Sequence, residues 1–378
     1  MKTAGVPGST TTIPKQFALI NLLKAGAAQL IVLHHLAFYG PMSDAARPLM
    51  PALVDWLDQY ARIAVQVFLV IGGFLAAKSL SPRGEPGIAS PVGTIWRRYL
   101  KLAPAFMVAM LLAIAASALA RVWMDHDSIS APATFWQVLA HLFLLHDVLG
   151  FEALSAGAWY VAIDFQLYAS LTLLLWLSGR IAGERRQAGL VPVIVLFCTC
   201  ASLLYFNRKG DWDVWALYFF GSYGLGALAW WMSDPDHRPG AIVLLLMTIV
   251  VPAMYALDMD YRIRIAVALA VACILFGFGR VKLDRYAGGG WKVVNYLAQI
   301  SYSVFLVHFP VCLVVNAVFT RFMPDQAEWQ AFGMLTAWMA SLAAGAAFCR
   351  WVEAPLGRAL VSFTKPAAAP VYVAKAVR

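Results

Sequence analysis

The stretch "NLLKAGAAQLIVLHH" (21–35) sets a lysine and a histidine eleven residues apart in an otherwise apolar run. At about 100° and 1.5 Å per residue, Lys24 and His35 share one helical face, about 16 Å apart along the axis. Asn21 lies one turn before Lys24 on nearly the same side, while His34 points elsewhere. Charge inside an apolar helix is costly and usually marks function. A histidine there suits general-base work, and a cation suits an anionic or polarised group. Asp164, in "WYVAIDFQLY" (159–168), is the only carboxylate deep in any apolar run. It is expected at the depth of His35, where it would orient the imidazole and stabilise its protonated form. Arg97, Arg98 and Lys101 in "WRRYLKLAP" (96–104) form a cluster that could grip phosphates. His308, in "ISYSVFLVHFP" (300–310), is a candidate substrate contact, as are Tyr302 and Trp159. Each of these residues also has a plain role open to it. Lys24 could snorkel, the basic cluster could anchor a helix end, Asp164 could be solvated at a helix start, and His308 could be packed core. His141 and His146 read as structural.

The elements that must carry these residues are membrane helices. The chain has 378 residues, 61% hydrophobic and 13% charged, with a mean hydropathy of +0.70. Soluble domains rarely exceed half apolar composition. Apolar runs long enough to cross a bilayer predict ten spans, near 17–39, 62–80, 102–121, 159–178, 190–206, 213–232, 240–257, 262–279, 296–320 and 331–350. A shorter run at 134–150 predicts one interfacial or re-entrant helix. The expected fold is therefore an all-α, polytopic membrane helix bundle. One membrane domain (17–358) stands between short tails, 1–16 and 359–378, and the first run is not expected to be a signal peptide.

With both termini cytoplasmic, inner segments hold 20 of the 29 Lys and Arg and outer loops hold eight. That bias predicts a multi-pass protein of a bacterial cytoplasmic membrane with both tails inside. The net charge of +9 then reflects topology rather than nucleic-acid binding, for which no basic soluble face exists. The five cysteines lie in or at the ends of spans, so neither a disulfide framework nor a metal site is expected. No internal repeat and no matched pair of broken spans is visible, which counts against a secondary transporter.

Six landmarks in order resemble the family 3 membrane acyltransferases across nearly the whole chain. Lys24 and His35 stand where that family has a basic residue, usually Arg, and a histidine. "VFLVIGGFL" (67–75) is similar to "FFVLSGFL", with Gly72 where Ser is usual. "RRYLKLAP" (97–104) resembles "RRLLRLYP", and "WYVAIDFQLY" resembles "WFLSVEEQFY" with Asp164 in place of Glu. "AQISYSVFLVHFP" (298–310) is similar to "GRISYSLYLVHFP", and "WVEAP" (351–355) to "FIEKP".

The resemblance implies transfer of an acyl group, most often acetyl from cytoplasmic acetyl-CoA, to a hydroxyl of an extracytoplasmic glycan or lipid-linked sugar. Only residues 356–378 follow these motifs, so the soluble domain some relatives carry is not expected, and a separate periplasmic acyl-accepting partner is an option. In that scheme Arg97, Arg98 and Lys101 hold the CoA phosphates, and Lys24 lies near the thioester. His35 is the base and Asp164 orients it. A transporter, or a polyprenyl-sugar-dependent glycosyltransferase using Asp44, Asp55 or Asp58 of the first outer loop, remains open on the residues alone.

Overall fold

The structure, a computed structural model, describes residues 18–182, 190–233, 239–280 and 289–364, and among them every regular element is a helix. In chain order these are α1 Ala18–Phe38, α2 Pro41–Ala46, α3 Pro51–Tyr60, α4 Ala64–Leu80, α5 Pro91–Trp123, α6 Phe135–Leu142 and α7 Ala158–Ala182. There follow α8 Leu190–Leu204, α9 Ala216–Met232, α10 Pro239–Met259, α11 Ile263–Phe278, α12 Gly289–Phe322, α13 Ala327–Phe348 and α14 Ala354–Thr364. The helix α14 runs six residues past the expected domain end at 358; most of both tails lies outside the described residues. We call the end of the bundle where α1 starts the near end, and the other the far end.

Among the described residues seven helices are long and apolar enough to cross a membrane, so the ten expected are not all confirmed. The other three runs also form helices: α10 has 21 residues, while α9 and α11 reach only 17 and 16, at the short limit of a crossing. The reason is plain for α9, whose residues are buried on all sides but for Leu217. It is an internal strut apolar all round, a pattern that hydropathy cannot separate from a lipid-facing span. Its glycines allow that placement. A methyl on Gly73 of α4 would run into the Tyr223 carbonyl of α9, and one on Gly226 of α9 into the Val70 carbonyl of α4. The two backbones therefore touch, as small residues permit in membrane helix pairs. Large apolar side chains such as Leu112, Phe197, Val251 and Trp351 cover the outside, as a lipid-facing surface requires.

The expected short helix is α6, opened by Thr134 in a capping box with Gln137. The Leu142 carbonyl accepts a hydrogen bond from the Tyr99 hydroxyl at 2.8 Å. Tyr99 lies 24 residues before the end of α5, about 36 Å of helix rise. The segment 135–157 is thus a re-entrant hairpin that descends from the far end. It returns to start α7 beside α12, where Gly157 packs on the Phe305 ring and Ala156 joins the cluster around Phe309 and Leu313.

Candidate active site

The helices α1 and α12 lie side by side and parallel, pinned at two heights along α1 and a third time just beyond it, at α2. Asn21 donates to Asn295 at 2.9 Å near the start of α1. His35 meets His308 at 2.6 Å, and the Met42 amide donates to Asn316 at 3.2 Å. The helical face that carries Lys24 and His35 in the sequence therefore turns toward the bundle interior, with His308 at its upper end.

The two imidazoles form an ordered relay. His308 Nδ1 lies 2.7 Å from the Phe305 carbonyl and 3.2 Å from that of Val304. Carbonyls only accept, so His308 Nδ1 bears the hydrogen and His308 Nε2 is an acceptor. His35 Nδ1, at 2.6 Å, must then be the donor. The neutral ring of His35 is left with an unprotonated Nε2, the form a general base needs. The rings are nearly parallel, 4° apart with centroids 4.9 Å apart. Pro310 in the next turn has no N–H for the Leu306 carbonyl, and in this loosened stretch the imidazole reaches back to its own helix. His308 is fully buried and His35 is 9% exposed. Tyr39 caps the pair, its ring 5.5 Å from His35 and 5.3 Å from Phe309.

Asp164 lies elsewhere. Its carboxylate pairs with Arg98 at 2.5 Å, and the expectation that it orients His35 is corrected: His308 takes that place. The cause is the re-entrant hairpin. Because α7 starts level with Phe305 rather than at the membrane surface, Asp164, six residues on, lies about 9 Å closer to the near end. There the Arg98 guanidinium also faces the Tyr168 ring at 5.0 Å. Arg98 Nε is buried without a hydrogen-bond partner. Gly72 borders the same spot, with Tyr223 filling the space a side chain would take. The Tyr302 hydroxyl donates to the Leu102 carbonyl at 3.3 Å, and both Asp164 and Arg98 act on it electrostatically.

Lys24 is half-buried and, among the described residues, makes no hydrogen bond. Its electrostatic neighbours are Glu353 and Lys101. Glu353 accepts a hydrogen bond from Ser303 and is presented by a π-helical turn, Cys349–Glu353, the kind of irregularity that often marks a working site. Sequence reasoning missed Glu353 as a site residue; "WVEAP" carried its one signal. It missed Tyr39 too. Arg97, Arg98 and Lys101 line one cavity of about 590 Å³ together with Ser79, Ser90, Thr94 and Tyr168. Ser90 caps α5 by accepting from the Gly93 amide, so the cavity opens on a helix N-terminus, an electropositive place. Four cations (Lys24, Arg97, Arg98, Lys101) face two carboxylates (Asp164, Glu353) here, which leaves an excess positive charge.

A family model described as an acyltransferase domain matches residues 17–351. The chain belongs to acyltransferase family 3. It is an integral membrane acyltransferase by that family and by its apolar helices. No curated protein and no solved structure matches it.

For an acyltransferase the two clusters divide naturally, one basic and open at the near end, one a hydrogen-bonded histidine pair farther in. His308, expected to touch substrate, has both ring nitrogens engaged and no exposed surface, so its contacts are with His35 and its own helix. Trp159 packs against Phe219 of α9, while its neighbour Tyr160 faces Phe305. His34 turns outward to the Leu57 carbonyl, and His141 has both nitrogens satisfied, by the Gln137 carbonyl and the Leu154 amide. The first-loop carboxylates are occupied: Asp55 and Asp58 by Arg47, Asp44 by His126.

Proposed function

We propose that this acyltransferase moves an acyl group, acetyl in the first instance, from acyl-CoA to a hydroxyl of a glycan or lipid-linked sugar at the far end. The near end is taken as cytoplasmic, from the excess of Lys and Arg in the segments expected there. Arg97, Lys101 and the start of α5 hold the donor's phosphates. Arg98, fixed by Asp164, holds the wall of the cavity and offers its remaining donors. Lys24 and Glu353 lie along the path of the thioester arm. The acceptor comes from the far end to His35, below Tyr39.

In this reading His35 Nε2 takes the proton of the acceptor hydroxyl as its oxygen attacks the thioester carbonyl carbon. The C–S bond then breaks, and the thiolate leaves with the proton that His35 had taken. His308 keeps the His35 tautomer correct and shares the positive charge while it lasts, the part a carboxylate plays in a Ser-His-Asp triad. No acyl-enzyme is required.

The observation that carries the reading is the hydrogen-bond order Phe305 C=O, His308, His35, which leaves a free basic nitrogen on the same helix as Lys24, an electrostatic neighbour of Lys101 in the basic cavity. The test is CoA release from acetyl-CoA by the purified protein with membrane-derived glycan acceptors. Wild type should release CoA in step with acceptor acetylation, and His35→Ala should not. If wild type binds no acyl-CoA, or if His35→Ala turns over normally, the assignment fails.

A further inference from the structure

Next to the basic cavity lies a second recess of about 380 Å³ that the acyl-transfer chemistry does not use. It is walled by the loop Pro86–Ala89 on one side and by Trp176, Gly179 and Arg180 of α7 on the other. Gly87, Ile88 and Ala89 line both spaces, so the two adjoin. We infer that this recess seats the nucleotide end of the donor, with Trp176 stacked on the purine and Arg180 taking the 3′-phosphate. The inference rests on the acyl-CoA reading and assigns the part of that ligand which the basic cluster leaves unplaced.

Three observations support it. First, α7 presents polar and aromatic groups at intervals of four or eight residues: Asp164 on Arg98, Tyr168 on the basic cavity, then Trp176 and Arg180 on the recess. From Asp164 to Arg180 that is about 24 Å of rise toward the near end, a scale suited to an extended ligand whose reactive end is buried and whose nucleotide is not. Second, the recess is kept open. A methyl on Gly179 would lie 3.8 Å from Pro86 and 3.9 Å from the Gly87 nitrogen, so any larger side chain there would fill the space. Third, the chemistry is that of a purine phosphate site. The Arg180 guanidinium lies 5.3 Å from the Trp176 ring centroid and makes no ion pair among the described residues. It is exposed and turns toward a phosphate at little cost. A planar base stacks on an indole whatever its sequence of substituents, and a guanidinium fork matches phosphate oxygens.

A plain interfacial Trp–Arg pair is the rival explanation. Such anchors point into lipid headgroups; Trp176 and Arg180 line a recess against the loop Pro86–Ala89, next to the cavity of Arg97 and Lys101, although Trp176 also borders an apolar recess with Leu177 and Phe197.

The test measures equilibrium binding of CoA, dephospho-CoA and adenosine 3′,5′-bisphosphate to the full chain in nanodiscs. Wild type is set beside Trp176→Ala, Trp176→Phe and Arg180→Gln, each with its ligand-free melting temperature recorded as a fold control. Trp176→Ala should weaken adenosine 3′,5′-bisphosphate by roughly five- to 150-fold, the range for removing an aromatic beneath a stacked base, and Trp176→Phe should recover most of it. Arg180→Gln should erase the preference for CoA over dephospho-CoA while leaving dephospho-CoA binding unchanged. Wild-type affinity and preference in every variant, with CoA bound by wild type, overturns the recess assignment and leaves the donor reading standing. No CoA binding by folded wild type overturns both.

Discussion

The His35–His308 pair makes the sharpest claims at the scale of single residues. His35→Ala removes the base and should lower turnover by about 10²–10⁴-fold, read as acetylated acceptor per minute. His308→Ala leaves the base but frees its tautomer; turnover should fall about 10- to 1000-fold, with the KM for acyl-CoA little changed. His308→Gln can still accept from His35 Nδ1 through its amide oxygen and should restore part of the loss. Because the two act as a unit, the double alanine variant should be no slower than His35→Ala alone. Additive losses would sink the relay. Lys24 makes a different claim. With Glu353 and Lys101 as its electrostatic neighbours, its work is cationic, so Lys24→Arg should keep activity within about tenfold while Lys24→Met loses far more. A dead arginine variant would mean the ammonium has a shape-specific contact. Both histidines and the lysine are legible in the sequence as polar intrusions in apolar runs. Their pairing is not, because His35 and His308 are 273 residues apart and meet only once α1 and α12 are known to be parallel neighbours.

At the scale of elements, what the sequence could not tell was depth. It gave α7 the right residues and α6 the right length, yet Asp164 ended about two and a half turns below His35, the depth at which a surface-to-surface span would put it. A re-entrant hairpin and a span boundary carry similar turn residues, so nothing local separates them. The ten runs were real as helices, and seven of them are long and apolar enough to cross among the described residues. The pair α4–α9 shows why such a strut is tolerated. Gly73 and Gly226 let two carbonyls approach where any side chain would force the helices apart, while Gly72, one residue away, faces Tyr223 at an adjustable 3.2 Å from a built methyl. Gly73→Ala should therefore cost about 1–3 kcal/mol or more, as overpacking does, seen as a lower midpoint of thermal unfolding in detergent. Gly72→Ala should cost clearly less, since the Tyr223 ring can shift. Equal losses would show that the close α4–α9 contact is not where the strain falls.

For the whole molecule, the arrangement implies a direction. The basic cavity and the start of α5 are at the near end, the histidine pair is about 16 Å up α1 from Lys24, and the hairpin dips into the far side. A soluble enzyme would let both substrates arrive from one solvent; in the proposed reading the donor and the acceptor reach this protein from opposite ends. Acyl-CoA, a polyanion too polar to cross the bilayer, should work from one face only. Sealed vesicles of opposite orientation, each loaded with glycan acceptor on the far-end face, test this. Transfer should occur when acetyl-CoA is supplied to the face bearing residues 81–90 and the start of α5, and should be absent when it is supplied to the other face alone. The apparent KM for acetyl-CoA should also rise with salt, because phosphate capture by Arg97 and Lys101, both exposed, is screened within about a Debye length. Activity with donor and acceptor confined to the same face would break the division of labour between the two clusters. His35 would then have to be reached from the cavity that holds the phosphates, and the hairpin would be a wall rather than an entrance.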